Sequence, residues 1–467
     1  MGSVPIFMIV HGTVLTLDGS RRIIKDGAVV IEKDRIVDVG KSAALKEKYE
    51  AQKVIDATNK IVMPGIVDSH VHTVQMLTRG LGDDIDLIGW CFDRIYPFET
   101  LMTERDTYVS ALLCAMEMIR TGTTCVCDPG GYRMDNVGNA LKDAGMRGIL
   151  SWAGMDQWSS DRNPPDGFPG KLSTLETLRE EERLVQKWHH TAQGRIRASY
   201  ALRVEPNITK ELYQKIKQLA DRDGVLVQMH AAVNRDQVDW VKRHTGKTTI
   251  EYMDSLGILG PNWLLTHMAI LSDKELQILK DRDVKVCHNP GASMHGAYGA
   301  CIVGKFPEMI ARGITVVLGT DSSAANNSLD MFRAMYQVAT VHKEIRLVPD
   351  LILPEKALEM ATIDGARALM WESEIGSLEK GKKADVIIVD GHRPNWLPIH
   401  DFSIVPNLVY SGSGDDVETV IIDGNIVMED RQFKTLQAED VLKEAQKCSE
   451  KIVSGLRYRI APRWKVE

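Results

Sequence analysis

The sequence predicts an α/β fold: a (β/α)8 TIM barrel carrying a small composite β-sandwich domain formed from both chain ends. Three observations predict it. The two ends share a texture of short alternating strands, and eight apolar runs alternate with helical patterns between them. Histidines and aspartates close most of those eight runs.

The opening reads as strands and turns in FMIVHGTVLTLDG, GAVVIEKDRIVDVG and QKVIDATNKIVMPG, and the texture returns in GSLEKGKKADVIIVDG and VETVIIDGNIVMED. This places residues 1–60 and 372–432 in one small domain, with a barrel over 61–371 inserted between its halves and a helical segment over 433–467. Candidate barrel strands are 65–72, 123–129, 148–154, 196–203, 224–230, 263–268, 284–290 and 313–321. Helical patterns such as ERDTYVSALLCAMEMIRTG, TKELYQKIKQLADRDG and SDKELQILKDRD separate them. A doubly wound open sheet alternates in the same way, so periodicity leaves two architectures tied. The polar residues separate them. His70 and His72 close the first run, Asp128 the second, His230 the fifth, His267 the sixth, His288 the seventh and Asp321 the eighth. In a barrel these strand ends converge on one mouth, whereas in an open sheet the first and last stand apart.

Composition excludes several classes. With 467 residues, 44% hydrophobic and 26% charged, the chain suits a large domain plus a smaller one and is not disordered. A net charge of −7 gives no basic footprint, so nucleic acid is not an expected partner. No apolar run approaches the ~20 residues of a membrane helix. The N-terminus lacks a basic region and does not read as a signal peptide. The seven cysteines form no CxxC pair, and Cys125 and Cys127 fall on one face of a strand, which suits packing. A cytoplasmic, homo-oligomeric protein acting on a small molecule is the expectation, with no membrane partner.

His70 and His72 are the strongest single signal, since residues i and i+2 of a strand share a face and both imidazoles can reach one ion. Such a pair alone is weak. Further strand-ending histidines and Asp321 make a metal the economical reading, because burying so many imidazoles beside a carboxylate otherwise needs a fully satisfied polar network. The donors suit one divalent ion per subunit: zinc is expected, and cobalt, iron or manganese are compatible. Asp321 has two candidate roles, ligand and proton acceptor. His267 is a candidate ligand or a hydrogen-bond donor to the attacked oxygen. His288 is a candidate either to support the metal ligands from behind or to contact substrate, in a Gly- and Ser-rich loop, with His295 beyond it. Trp90 and Trp152 are candidate walls of an apolar pocket, and residues 75–99 either cover the substrate or pack as a surface helix. His189, His190, His244 and His342 read as solvated.

The segments PGIVDSHVH, VLVQMH, LLTHM, VKVCHNP, VVLGTDSSAANNSLDMF and GSLEKGKKADVIIVD together resemble the amidohydrolase superfamily over nearly the whole chain. The branch containing S-adenosylhomocysteine deaminase and atrazine chlorohydrolase is the most similar. The resemblance implies His70, His72, His230 and Asp321 as metal ligands and His267 as the group that polarises the substrate. The chain departs from that branch at one place. Its deaminases carry a glutamate three residues after the strand-five histidine to deliver a proton to the ring; here Val233 stands there and Asn234 follows. Valine moves no proton, and Asn234 offers only hydrogen bonds or a carbonyl oxygen. Asn234 is therefore a candidate catalytic residue with Asp321 and His267; Asp236 would face elsewhere from the following helix. The expected reaction is attack of metal-activated water on the carbonyl of a small urea, amide, carbamate or thiocarbamate, similar to phenylurea and molinate hydrolases. The alternative is a deaminase or dechlorinase of an aminated heterocycle, and a third is a barrel that binds without catalysing.

Overall fold

The computed structural model describes residues 6–159, 162–165, 168 and 172–467. The two chain ends build one sheet. Its front half comprises Ile6–Leu15, Ile23–Glu32, Arg35–Lys41, Lys53–Asp56 and Lys60–Pro64. Its rear half comprises Val386–Asp390, Val417–Ile422, Asn425–Glu429 and Gln432–Phe433. Hydrogen bonding is continuous through all nine strands, and the halves join where Lys60–Pro64 runs antiparallel to Val386–Asp390, Met63 opposite Ile387. Alternation supplies its core: Ile9, Val29 and Ile31 from the front meet Val386, Ile388 and Ile421 from the rear. The Asp423-Gly424 turn has positive φ at both residues (53° and 75°), the requirement of a two-residue hairpin loop. A side chain at Gly424 would also collide with the Lys33 carbonyl.

Between these halves lie eight parallel barrel strands. They are Ile66–Asp68, Thr123–Cys127, Arg147–Leu150 continuing as Ala153–Gly154, Ile196–Ala198 continuing as Tyr200–Val204, Val227–Ala231, Trp263–His267, Lys285–His288 and Val316–Leu318. The third and fourth strands break at residues 151–152 and 199, and each stretch pairs with its counterpart. The first and eighth strands close the barrel, Ser69 N–H donating to Leu318 O (3.0 Å) and Asp321 N–H to His70 O (2.8 Å). Asp68 reinforces that seam by accepting the Thr320 amide (3.2 Å) and hydroxyl.

The helices follow from local signals. Glu104–Arg120 starts at a capping box of Thr103 and Asp106, and Asp273–Asp281 at one of Ser272 and Glu275. Lys210–Asp223 is capped by Thr209 and stopped by left-handed Gly224. Inward residues Val67, Cys125, Cys127, Ile149, Leu264, Cys287 and Val317 fill the barrel floor with Trp371. Cys125 and Cys127 do share one face, and every cysteine is a free thiol. The C-terminal helix Ala438–Ser454 packs Ala445, Cys448 and Ile452 against Phe98 and Val109. Among the described residues, no helix is long and apolar enough to cross a membrane.

Candidate metal centre

Several strands end earlier than the sequence suggests, the first and eighth with most effect on the site. The first stops at Asp68 and the eighth at Leu318, so His70, His72 and Asp321 lie just beyond them in irregular backbone. The simple strand alternation expected for His70 and His72 does not apply, yet their rings stand only 5.1 Å apart, edge to face. Several site residues hold positive φ without being glycine: Asp321 (66°), His267 (78°) and Ala232 (47°). Such backbone costs about 1–3 kcal/mol per residue and collects where geometry is dictated by function.

The barrel brings five of the candidate groups together. His72 Nε2 and His230 Nε2 are 3.2 Å apart. Asp321 Oδ1 lies 3.7 Å from His72 Nε2 and 3.9 Å from His70 Nε2, while Oδ2 lies 3.8 Å from His267 Nε2. The donor atoms of His70, His72 and His230, and those of His70, His267 and Asp321, each fall within 4.8 Å of one another. These residues fit a cation. His70 Nε2 is buried with no hydrogen-bond partner, although its Nδ1 has the Thr266 hydroxyl at 3.3 Å. The Nδ1 of His230 faces the Arg203 carbonyl at 2.9 Å, which makes Nδ1 the protonated nitrogen and turns the Nε2 lone pair to His72. A divalent ion between the two nitrogens would satisfy both.

Electrostatics agree. Burial holds His230 down at about 4 and His267 at about 3, with the Arg203 charge adding to the first and His230 to the second. His70 and His72 are held well below the ordinary imidazole range, by burial first and neighbouring imidazoles next. All four are neutral near pH 7 and present lone pairs, as a divalent ion requires. Burial pushes Asp321 up to about 7.

Supporting groups surround these donors. Asp128 accepts the Thr73 amide (3.1 Å) and Gly130 amide (2.8 Å), fixing the loops after the first two strands. Gln228 reaches from the fifth strand to Ser151 (2.8 Å) and Ser199 (2.9 Å), a polar layer inside the barrel. Residues 75–99 pack onto the loop after the eighth strand. There the Trp90 indole donates to Ala324 O (3.1 Å), and Ser323 donates to Gln75 O (2.7 Å). Trp90 thus spends its polar atom on a loop. Trp152 lines a small cleft with Tyr132, Met155, Phe168, Leu172 and Arg203.

Other expectations are corrected. Asn234 is the N-cap of helix Arg235–Thr245, its Oδ1 accepting the Gln237 amide at 3.0 Å, so that oxygen is committed to a helix rather than to chemistry. His288 is buried instead of facing substrate. Its ring stacks on Phe306 (centroids 3.7 Å apart), and its Nε2 lies 3.1 Å from that of His342. His342 is therefore buried, not solvated, because it sits on the inner face of helix Met331–Arg346. His189 is half-buried, accepting the Ala198 amide at 3.1 Å; His190 and His244 are exposed.

Sequence reasoning missed Arg203 and Glu205. Arg203 lies at the end of the fourth strand and Glu205 just past it, so the strand-end rule that selected the histidines would have found them. Glu205 is buried, accepting the Ala232 amide at 2.9 Å, and burial pushes its carboxyl up to about 7.

Known proteins share this architecture. The chain is 36% identical to a 5'-deoxyadenosine deaminase of Methanosarcina mazei, over 96% of this chain and 98% of that protein. It is 33% identical to a 5-methylthioadenosine/S-adenosylhomocysteine deaminase of Desulfitobacterium hafniense, over 96% and 99%. Among solved structures, an adenosine deaminase from Xanthomonas campestris with bound zinc superposes with a TM-score of 0.89 at 24% identity, covering 96% of this chain and 98% of that one. Atrazine chlorohydrolase from Arthrobacter aurescens, complexed with zinc, gives 0.85 at 20% identity, covering 95% and 100%. These two share the fold. The sequence profile of the Amidohydrolase family matches residues 61–427, and this metal-dependent hydrolase of carbon–nitrogen bonds belongs to that family.

Proposed function

We propose that the protein deaminates an aminated heterocycle of the adenosine type, the alternative rather than the leading expectation from sequence. The observation that carries this reading is full-length similarity to deaminases of 5'-deoxyadenosine and of S-adenosylhomocysteine. A carbonyl substrate was favoured by the missing glutamate, but no relative named above acts on a urea or thiocarbamate. His70, His72, His230 and Asp321 would hold one divalent ion, zinc by analogy with the related structures. When bound, the ion supplies a Lewis acid that makes water nucleophilic near neutral pH. Asp321 would take the attacking water's two protons in turn at Oδ2, passing the first to the ring nitrogen and the second to the departing amine, which leaves as ammonia. His267, 3.8 Å from that carboxylate, orients the ring carbon's substituent and stabilises charge developing there.

Hydrolysis of a carbonyl C–N bond is the second reading, favoured by Val233 and by the capping role of Asn234. No acid follows His230 before Asp236, so delivery of a ring proton falls to Asp321. The test offers metal-loaded protein 5'-deoxyadenosine and S-adenosylhomocysteine, and separately diphenylurea and a thiocarbamate. Ammonia from the nucleosides supports deamination. Aniline from diphenylurea without ammonia from the nucleosides supports the second reading, and no turnover at full metal occupancy sinks both.

A further inference from the structure

Arg203 occupies an unusual position. Its carbonyl orients His230, while its side chain is half-buried in the mouth and lines the cleft with Tyr132, Trp152, Met155 and Phe168. Its cationic carbon sits 5.1 Å from the Tyr96 ring. Among the described residues no carboxylate oxygen comes within 4.0 Å of its guanidinium. Glu99 acts on it only from farther away and has given Oε1 to the Gln75 amide at 2.7 Å. A guanidinium partly withdrawn from water with no acid in contact is costly, and arginine does not shed its charge to escape that cost. Its five donors match a carboxylate in a planar, two-bond geometry. The same charge also bears on His72 and His230, so a bound anion here would lie beside the metal ligands.

We propose that Arg203 recognises a carboxylate on the substrate, whose remaining body lies in the barrel mouth beside the candidate metal ligands. The proposal rests on the functional reading above in taking the barrel mouth for the substrate site. Calorimetric titration of the metal-loaded protein with benzoate and with benzamide tests it without turnover. Benzoate should bind at least about tenfold more tightly, the effect of one charge-assisted contact. Arg203→Gln should erase that preference at unchanged metal content, and Arg203→Lys, which keeps the charge, should retain part of it. Equal binding of the two probes by the wild type would overturn the proposal. So would a preference that survives in Arg203→Gln, since the carboxylate would then be held by the ion or another group. Failure to release ammonia from 5'-deoxyadenosine would remove the deaminase reading and leave these binding constants standing.

Discussion

Single residues carry much of the chemistry, and two test its boundaries. Asn234 was a candidate for the missing acid's place, and the structure gives its oxygen to a helix end. Asn234→Ala should lower stability by about 1 kcal/mol, the usual value of a cap, with metal stoichiometry unchanged. Denaturant unfolding beside metal analysis checks this, and loss of the ion would return Asn234 to the site. Glu205 provides a pH test. Its folded value near 7 lies above the ordinary 4.5, so its contribution is complete below about 4.5 and drains away as pH rises through 7. Above that the buried carboxylate costs on the order of 3 kcal/mol. Glu205→Gln keeps an acceptor for the Ala232 amide and cannot ionise. Its melting temperature should fall less steeply than the wild type's between about pH 4.5 and 7, the interval separating the unfolded and folded values; parallel curves there would refute the assignment. At this scale the sequence was legible where chemistry is specific to residue type. His70, His72, His230, His267 and Asp321 declare themselves, whereas Asn234 and His288 have several uses that only packing decides.

At the scale of elements, strand ends position the candidate ligands and glycine makes room for them. Gly319 lies so close to His70 that an added methyl would sit 2.8 Å from its Cβ and 2.9 Å from its carbonyl oxygen. Thr266, on the sixth strand, supports His70 from behind through Nδ1. Thr266→Val keeps the shape and removes the hydroxyl, and should weaken metal affinity about tenfold, as outer-shell changes do. Competition with a chromogenic chelator measures this, and unchanged affinity would show that packing alone orients the ring. The eight strands were legible because each apolar run ends in a turn and a helix signal. Their exact ends were not. Asp321 and His267 sit in left-handed backbone imposed by the closed mouth, a tertiary constraint that no local pattern encodes.

At the scale of the whole molecule, Arg147 ties barrel to sheet. Fully buried, it bonds Asp385 at 2.7 and 2.9 Å and Asp423 at 3.1 Å. Arg147→Ala strands the Asp385 carboxylate, while Asp423 keeps Lys383 at 3.0 Å, and should cost about 3–5 kcal/mol in denaturant unfolding without changing metal per folded molecule. A smaller loss would mean that water replaces the guanidinium. The two-ended sheet was legible from texture alone, but this anchor was not, because its partners lie more than two hundred residues along the chain. The seam between first and eighth strands has a consequence of its own. Every other neighbouring pair in the barrel is joined by a covalent βα connection, and this one only by hydrogen bonds, among them Asp321 N–H to His70 O. An ion held by both residues, as proposed above, would work as a rivet across the one place where the ring can breathe. Stripping it should quicken amide exchange at Ser69 and Asp321 while the strands around Ile387 stay protected.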